Sequence, residues 1–260
     1  MLGQGSFSQV YESEDKTGKK YAVKIEEKSV KIPLLEKEAK IHMILSKNDL
    51  KQEFVVPVYG YHEDEKRRYL MMEKLYLSLG DILKKIDIPF DDFSVKNIGY
   101  KLIDGLNFIH SMGICHGDIK PDNVLISEDY LKIYFMDFGL AKIYMRSGKH
   151  LTMKLESNPS GTLRYMSVNV NNNVRMSRRD DLISLGYMLI YLQKKILPWQ
   201  SVVESNKKEK FKKVWEIKKK CDFKKLCDGC YVGLWKYIDY CYKLEYDEKP
   251  DYEYLKSIFT

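Results

Sequence analysis

The 260-residue chain has no run of about 18 uncharged apolar residues, so a helix crossing a membrane is not expected. Its first residues, MLGQGSFSQV, contain neither a basic stretch nor an apolar segment of the kind that directs export, and no secretory signal is expected. Cysteine is sparse and odd in number: Cys115, Cys221, Cys227, Cys230 and Cys241. Without an export signal these read as reduced thiols of an intracellular protein, cytoplasmic or nuclear. Cys227 and Cys230 form a C-x-x-C, but Cys221 and Cys241 are poorly spaced as a second pair, so structural thiols are read in preference to a zinc site. No internal repeat is visible, and the one low-complexity patch, NVNNNV at 169–174, reads as a surface loop.

What is present is charge and a sizeable apolar fraction. Lys and Arg number 44 against 37 Asp and Glu, a formal net charge of +7 that favours acidic or phosphorylated partners without making a nucleic-acid binder. Ten lysines between Lys207 and Lys225 read as a solvated helix face. With 44% hydrophobic residues the chain can bury one large domain or two lobes sharing an interface.

The first seventy residues read mostly as strands. FSQVYES and KKYAVKIEE alternate around a turn at Lys16–Gly18, and EFVVPVYGYHED and RRYLMMEKL suggest two more strands. Between them IPLLEKEAKIHMILSK carries Leu34, Leu35, Ile41, Ile44 and Leu45 at helical spacing. Beyond a hinge near 73–76 the pattern turns helical. SVKNIGYKLIDGLNFIHSMG is an amphipathic helix closed by Gly113, DDLISLGYMLIYLQKK is apolar on nearly all sides, and YLKSIF is a short terminal helix.

Several polar residues stand in an order that points to phosphate chemistry. Gly3-x-Gly5-x-x-Ser8-x-Val10 lies between strand-like stretches, where glycines let backbone N–H groups approach a polyphosphate; a plain hairpin turn is the competing reading. Lys24 sits in an alternating strand with Ala22 on the same face. A carboxylate from the next helix, Glu38 or its competitor Glu36, could hold it toward phosphate oxygens. HGDIKPDN supplies Asp118 to accept or orient a hydroxyl proton and Lys120 to neutralise a transferring phosphoryl group. Asn123 adds a neutral oxygen ligand for Mg²⁺, and Asp137 of DFG a charged one.

These ordered segments, GQGSFSQV, AVK, HGDIKPDN and DFG, resemble a eukaryotic-type protein kinase across essentially the whole chain. SGTLRYMSVN, SRRDDLISLGYMLIYL, LPWQ and DEKPDYEYL resemble the casein kinase 1 family more specifically, and HGDIK is similar to the related vaccinia-related kinases. The resemblance implies an α+β, bilobal protein-kinase-like fold over 1–260. Its small β-rich N-lobe would be 1–74, lacking most of the first strand, and its larger, mainly helical C-lobe 75–260. It implies ATP and Mg²⁺ as cofactors, and transfer of the γ-phosphoryl group to Ser or Thr of acidic or primed protein substrates by a monomer.

On the same grounds the nucleotide would meet Leu2, Gly3, Gln4, Gly5, Ser6, Phe7, Ser8, Gln9 and Val10 of the glycine loop, with Leu2, Ala22 and Leu125 sandwiching adenine and Val10 helping. Met72 would stand beside the base as gatekeeper, with Glu73 and Leu75 offering hinge backbone groups, and Asp181 would orient the catalytic loop. Arg164, Ser201 and Lys210 match an anion pocket for acidic or phosphorylated substrate residues. Gly117 occupies the position where most kinases carry an arginine that pairs with a phosphorylated activation loop, so activation-loop phosphorylation is not expected to be required. Ser8 in place of a third glycine, and a chain that starts almost at the glycine loop, keep a pseudokinase or nucleotide-binding scaffold as the alternative. A small-molecule phosphotransferase is a weaker third, because GTLRY favours a peptide.

Overall fold

The computed structural model describes residues 1–5, 8–48 and 51–260, without the side chains of residues 51 and 52. Ser6 and Phe7, expected in the glycine loop, lie outside the described residues. Strands β1 (Gly3–Gln4), β2 (Gln9–Glu14), β3 (Lys20–Glu27), β4 (Val58–Glu63) and β5 (Arg67–Glu73) form one antiparallel sheet in the order β1-β2-β3-β5-β4. The alternation of β3 puts Ala22, Lys24 and Glu26 on one buried face. Helix α1 (Leu34–Leu45) buries a stripe of Leu35, Glu38, Ala39, Ile41, His42 and Leu45. Its first residue follows Pro33, which supplies no side-chain cap. The orphan N–H groups of Leu34 and Leu35 instead donate to the Glu26 carboxylate at 2.9 and 3.0 Å, so β3 itself starts the helix. The strand expected from residue 53 begins only at Val58, because Lys51–Phe54 form a short helix, α2, ahead of Pro57.

The second part is mainly helical. After β6 (Leu77–Ser78) come α3 (Leu79–Ile86) and α4 (Asp92–Ser111). Helix α4 starts at Asp92, two residues before the apolar pattern suggests, because the Asp91 side chain accepts from Ser94 N at 2.8 Å. Gly113 closes it in the left-handed region, at φ +76°. Short strands β7 (Ile114–Cys115), β8 (Val124–Ile126) and β9 (Ile133–Phe135) carry the loops of interest. They are followed by β10 (Lys142–Ile143), β11 (Met145–Arg146) and β12 (Lys149–His150).

Helix α5 (Val168–Asn171) takes up much of the patch expected to be a surface loop. Val170 and Asn171 are buried, and the Asn171 amide donates to Phe211 O. Asparagine-rich composition hid that packing. Helix α6 (Arg178–Lys194) is buried along most of its length and packs on α4 and on α9 (Leu234–Lys243). Helices α7 (Lys207–Lys219), α8 (Phe223–Leu226) and α10 (Tyr252–Ser257) complete the chain. The result is a bilobal α+β fold, β-rich first and helical after.

Candidate active site

Lys24 is the centre of the upper half of the site. Its Nζ lies 2.8 Å from Glu38 Oε2 and 2.8 Å from Asp137 Oδ1, joining β3, α1 and the segment after β9. Burial opposes the charge of Lys24, but the two carboxylates outweigh it and hold the ammonium well above its ordinary value. Burial likewise works against ionisation of Asp137, yet Lys24 keeps that carboxyl below the usual range. Glu38 is pushed up by burial, which Lys24 only partly offsets. Glu36, the competing carboxylate, instead pairs with Lys40 on the surface. Helix α1 is tied to the same segment by Lys37, whose Nζ donates to Gly139 O at 2.9 Å.

The lower half is built on the turn 116–123. Both oxygens of Asp118 are aimed: Oδ1 accepts from Thr162 N at 2.8 Å, while Oδ2 accepts from Lys120 Nζ at 2.6 Å and Asn123 Nδ2 at 3.2 Å. The loop is held from beneath by Asp181 of α6. That carboxylate accepts from His116 N at 2.6 Å and Gly117 N at 2.9 Å, with His110 Nε2 at 3.0 Å. His116 takes a single tautomer, with Nδ1 accepting from Asp118 N and Nε2–H donating to Met136 O; burial depresses its pKa. It thereby ties the Asp118 loop to the residue before Asp137.

Gly117 has a backbone reason to be glycine. Its φ is +84°, and a Cβ there would stand 2.8 Å from Leu140 O. Gly161 is similar, at φ +116° with a Cβ position 2.8 Å from Gly117 O, so the two glycines let the catalytic turn and the segment before Thr162 approach closely.

Asn123 and Asp137 flank the β8–β9 pair, with Val124 opposite Phe135 and Met136 N donating to Asn123 O at 3.0 Å. The Asn123 amide nitrogen is committed to Asp118, which leaves its Oδ1 for a ligand. An amide oxygen beside a carboxylate is a hard donor set, and it fits a divalent cation such as Mg²⁺.

An apolar wall stands next to these groups. Val10, Ala22 and Leu125, expected against adenine, belong to one cluster with Met72 and Leu75. Leu2 is not part of it and is 48% exposed. Gly3 and Gln4 pair with Val10 and Gln9, and Gly5 N donates to Ser8 O at 2.8 Å, so the glycine loop is also a β-hairpin. The Glu73 N–H is already used by Pro57 O, which leaves only its carbonyl as a possible hinge contact.

Arg164 lays its guanidinium over Tyr165 and Tyr191, while Ser201 and Lys210 are exposed farther along the chain. Cys227 and Cys241 are buried in the main apolar core, with Cys221 and Cys230 packed against it. Among the described residues, the group of three potential metal ligands is His110, Cys115 and Asp181, and the polar members are engaged in the contacts that hold the catalytic loop.

Residues outside the phosphate-binding motifs also build the site. Glu26 could have been found from its period-two register with Lys24. In SVN, Ser167 Oγ and Asn169 Nδ2 both donate to buried Asp180, at 2.6 and 3.0 Å, and so fasten the start of α5 to α6. Glu156 lies between Lys142 Nζ at 3.6 Å and Arg175 Nε at 3.5 Å, in a stretch where Leu155 bridges Val174. An acidic side chain thus joins the start and the far side of that segment.

A lysine on a strand, an aspartate flanked by lysine and asparagine, and a second aspartate meeting the first lysine define a phosphotransferase. A family model described as the protein kinase domain matches residues 1–232, and the chain belongs to that family. Members act on protein substrates and in general use ATP and a divalent metal.

Proposed function

We propose that the protein is an ATP-dependent serine/threonine kinase of casein kinase 1 type. The observation that carries this reading is the single ammonium of Lys24 set 2.8 Å from both Glu38 and Asp137. That arrangement fixes a cation where phosphate oxygens would arrive. Asp118 orients the substrate hydroxyl and receives its proton, and Lys120, 2.6 Å away, balances charge on the transferring group. A divalent cation held by Asn123 and Asp137 would neutralise phosphate charge when bound. The chain's own contribution is positioning and electrostatic stabilisation. Val10, Ala22, Met72, Leu75 and Leu125 present the apolar surface for the base.

Two finer features belong to this reading. Activity does not require activation-loop phosphorylation: Gly117 cannot pair with a phosphate, and Glu156 between Lys142 and Arg175 already supplies negative charge in that segment. Acidic or primed substrates are preferred through Arg164, Ser201 and Lys210.

One assay tests the whole, namely transfer of radiolabelled phosphate from ATP to casein by phosphatase-treated protein. Wild type is expected to label casein, Asp118→Asn to lose at least a hundredfold, and the double variant Arg164→Ala, Lys210→Ala to label acidic casein more weakly but a neutral peptide equally. No transfer by wild type defeats the enzyme reading in favour of a nucleotide-binding scaffold. Transfer only before phosphatase treatment defeats phosphorylation independence, and unchanged substrate preference in the double variant defeats the anion pocket.

A further inference from the structure

Lys218 does not fit the expectation of a solvated lysine face. It is fully buried, and its Nζ donates to two main-chain carbonyls of one short stretch, Leu163 O at 2.8 Å and Met166 O at 2.7 Å. Its ammonium also lies 5.1 Å from the Trp199 ring centre and 5.4 Å from that of Tyr187. Burial alone drives its pKa well below the ordinary value, with no carboxylate offsetting it. Either protonation state still leaves two N–H donors for two carbonyls. Trp199 completes the arrangement, because its Nε1–H donates at 2.7 Å to Arg164 O, the carbonyl between those two.

The stretch so held is continuous with the catalytic centre. Thr162 N donates to Asp118 Oδ1, Lys120 Nζ lies 3.3 Å from Thr162 Oγ1, and Thr162 O accepts from both Tyr165 N and Met166 N. A peptide whose hydroxyl reaches Asp118 meets Thr162, which touches both Asp118 and Lys120 and begins this stretch. We infer that Lys218 and Trp199 form a clamp that fixes this backbone as the platform for the substrate chain, making them positioning residues for protein substrate and not for nucleotide. A buried amine without a counter-ion is a costly way to fill apolar space, which a leucine or methionine would do better. Its two bonds to consecutive-turn carbonyls give it a use that packing does not.

The inference rests on the phosphotransfer reading above, and the two fail differently. A wild type that labels no casein removes that reading, whereas an active wild type with unaltered variants removes only the clamp. Steady-state kinetics with casein and with ATP varied separately provide the test. Lys218→Met is expected to raise the KM for casein at least tenfold while the KM for ATP stays within twofold of wild type. Trp199→Phe, which keeps an aromatic ring but loses the donor to Arg164 O, is expected to raise the casein KM about threefold with the same insensitivity to ATP. If Lys218→Met does not fold, Trp199→Phe alone decides. Unchanged casein KM overturns the clamp, as does a loss of casein and ATP affinity in parallel with a fall in melting temperature, which marks a purely structural role.

Discussion

Gly117 shows how a residue can be read correctly by its lack of a side chain and still be misunderstood. From sequence it is a missing arginine. In the fold it is a left-handed turn residue packed against Leu140 O, where a side chain of any kind meets backbone. Gly117→Ala is therefore expected to destabilise the protein by about 1–3 kcal/mol, the cost of holding a non-glycine residue in a strained backbone region. Urea unfolding measures it, and an unchanged midpoint would contradict the strain argument. The polar residues Lys24, Asp118, Asn123 and Asp137 were legible because each belongs to a short ordered motif. Lys37, Glu156 and Lys218 were not, because each acts across the chain on a backbone group or a distant charge, and no local spacing announces such a contact.

At the scale of elements, α1 decides whether Lys24 is correctly held. It is fixed at its start by Glu26, in its middle by Glu38, and against the Asp137 segment by Lys37. Burial, with the nearby charge of Lys142 adding to it, pulls Lys37 down to about 8. An unfolded lysine titrates near ~10.4. Below about pH 8 both states carry the proton and the Lys37 contribution to stability is flat. From there to about 10.4 the unfolded chain still binds a proton that the folded chain has released, so stability gains with rising pH. The melting temperature of wild type relative to Lys37→Met should accordingly increase between pH 7.5 and pH 9.5; a constant or shrinking difference would contradict it. Period-two alternation gave the buried face of β3, and helical spacing gave Leu35, Ile41 and Leu45 of the buried face of α1. The starts of α4 and α6 fell two residues early because Asp91, which accepts from Ser94 N, and Asp180, whose carboxylate accepts from Ser177 N, set helix ends where apolar pattern does not. Helix α7 was misjudged because lysine-rich composition describes its exposed face and conceals Lys218.

In the molecule as a whole, the sheet carries Lys24, the second part carries Asp118, Asn123 and Asp137, and the Lys24–Asp137 pair is among the contacts that join the two. The division into a strand-rich and a helical part could be read from periodicity. The way the two parts meet could not, since it depends on residues 113 positions apart. Of the two carboxylates the sequence offered to Lys24, the fold pairs Glu38 with it and Glu36 with Lys40. The central claim is that these side chains gather one nucleotide–metal complex between the two parts. Calorimetric titration of ATP with and without Mg²⁺ tests it most directly, on wild type and Asp137→Asn. The account predicts that Mg²⁺ strengthens ATP binding to wild type at least tenfold and that Asp137→Asn loses this gain; wild type that binds ATP equally with and without Mg²⁺, or a variant that keeps the full gain, would contradict it.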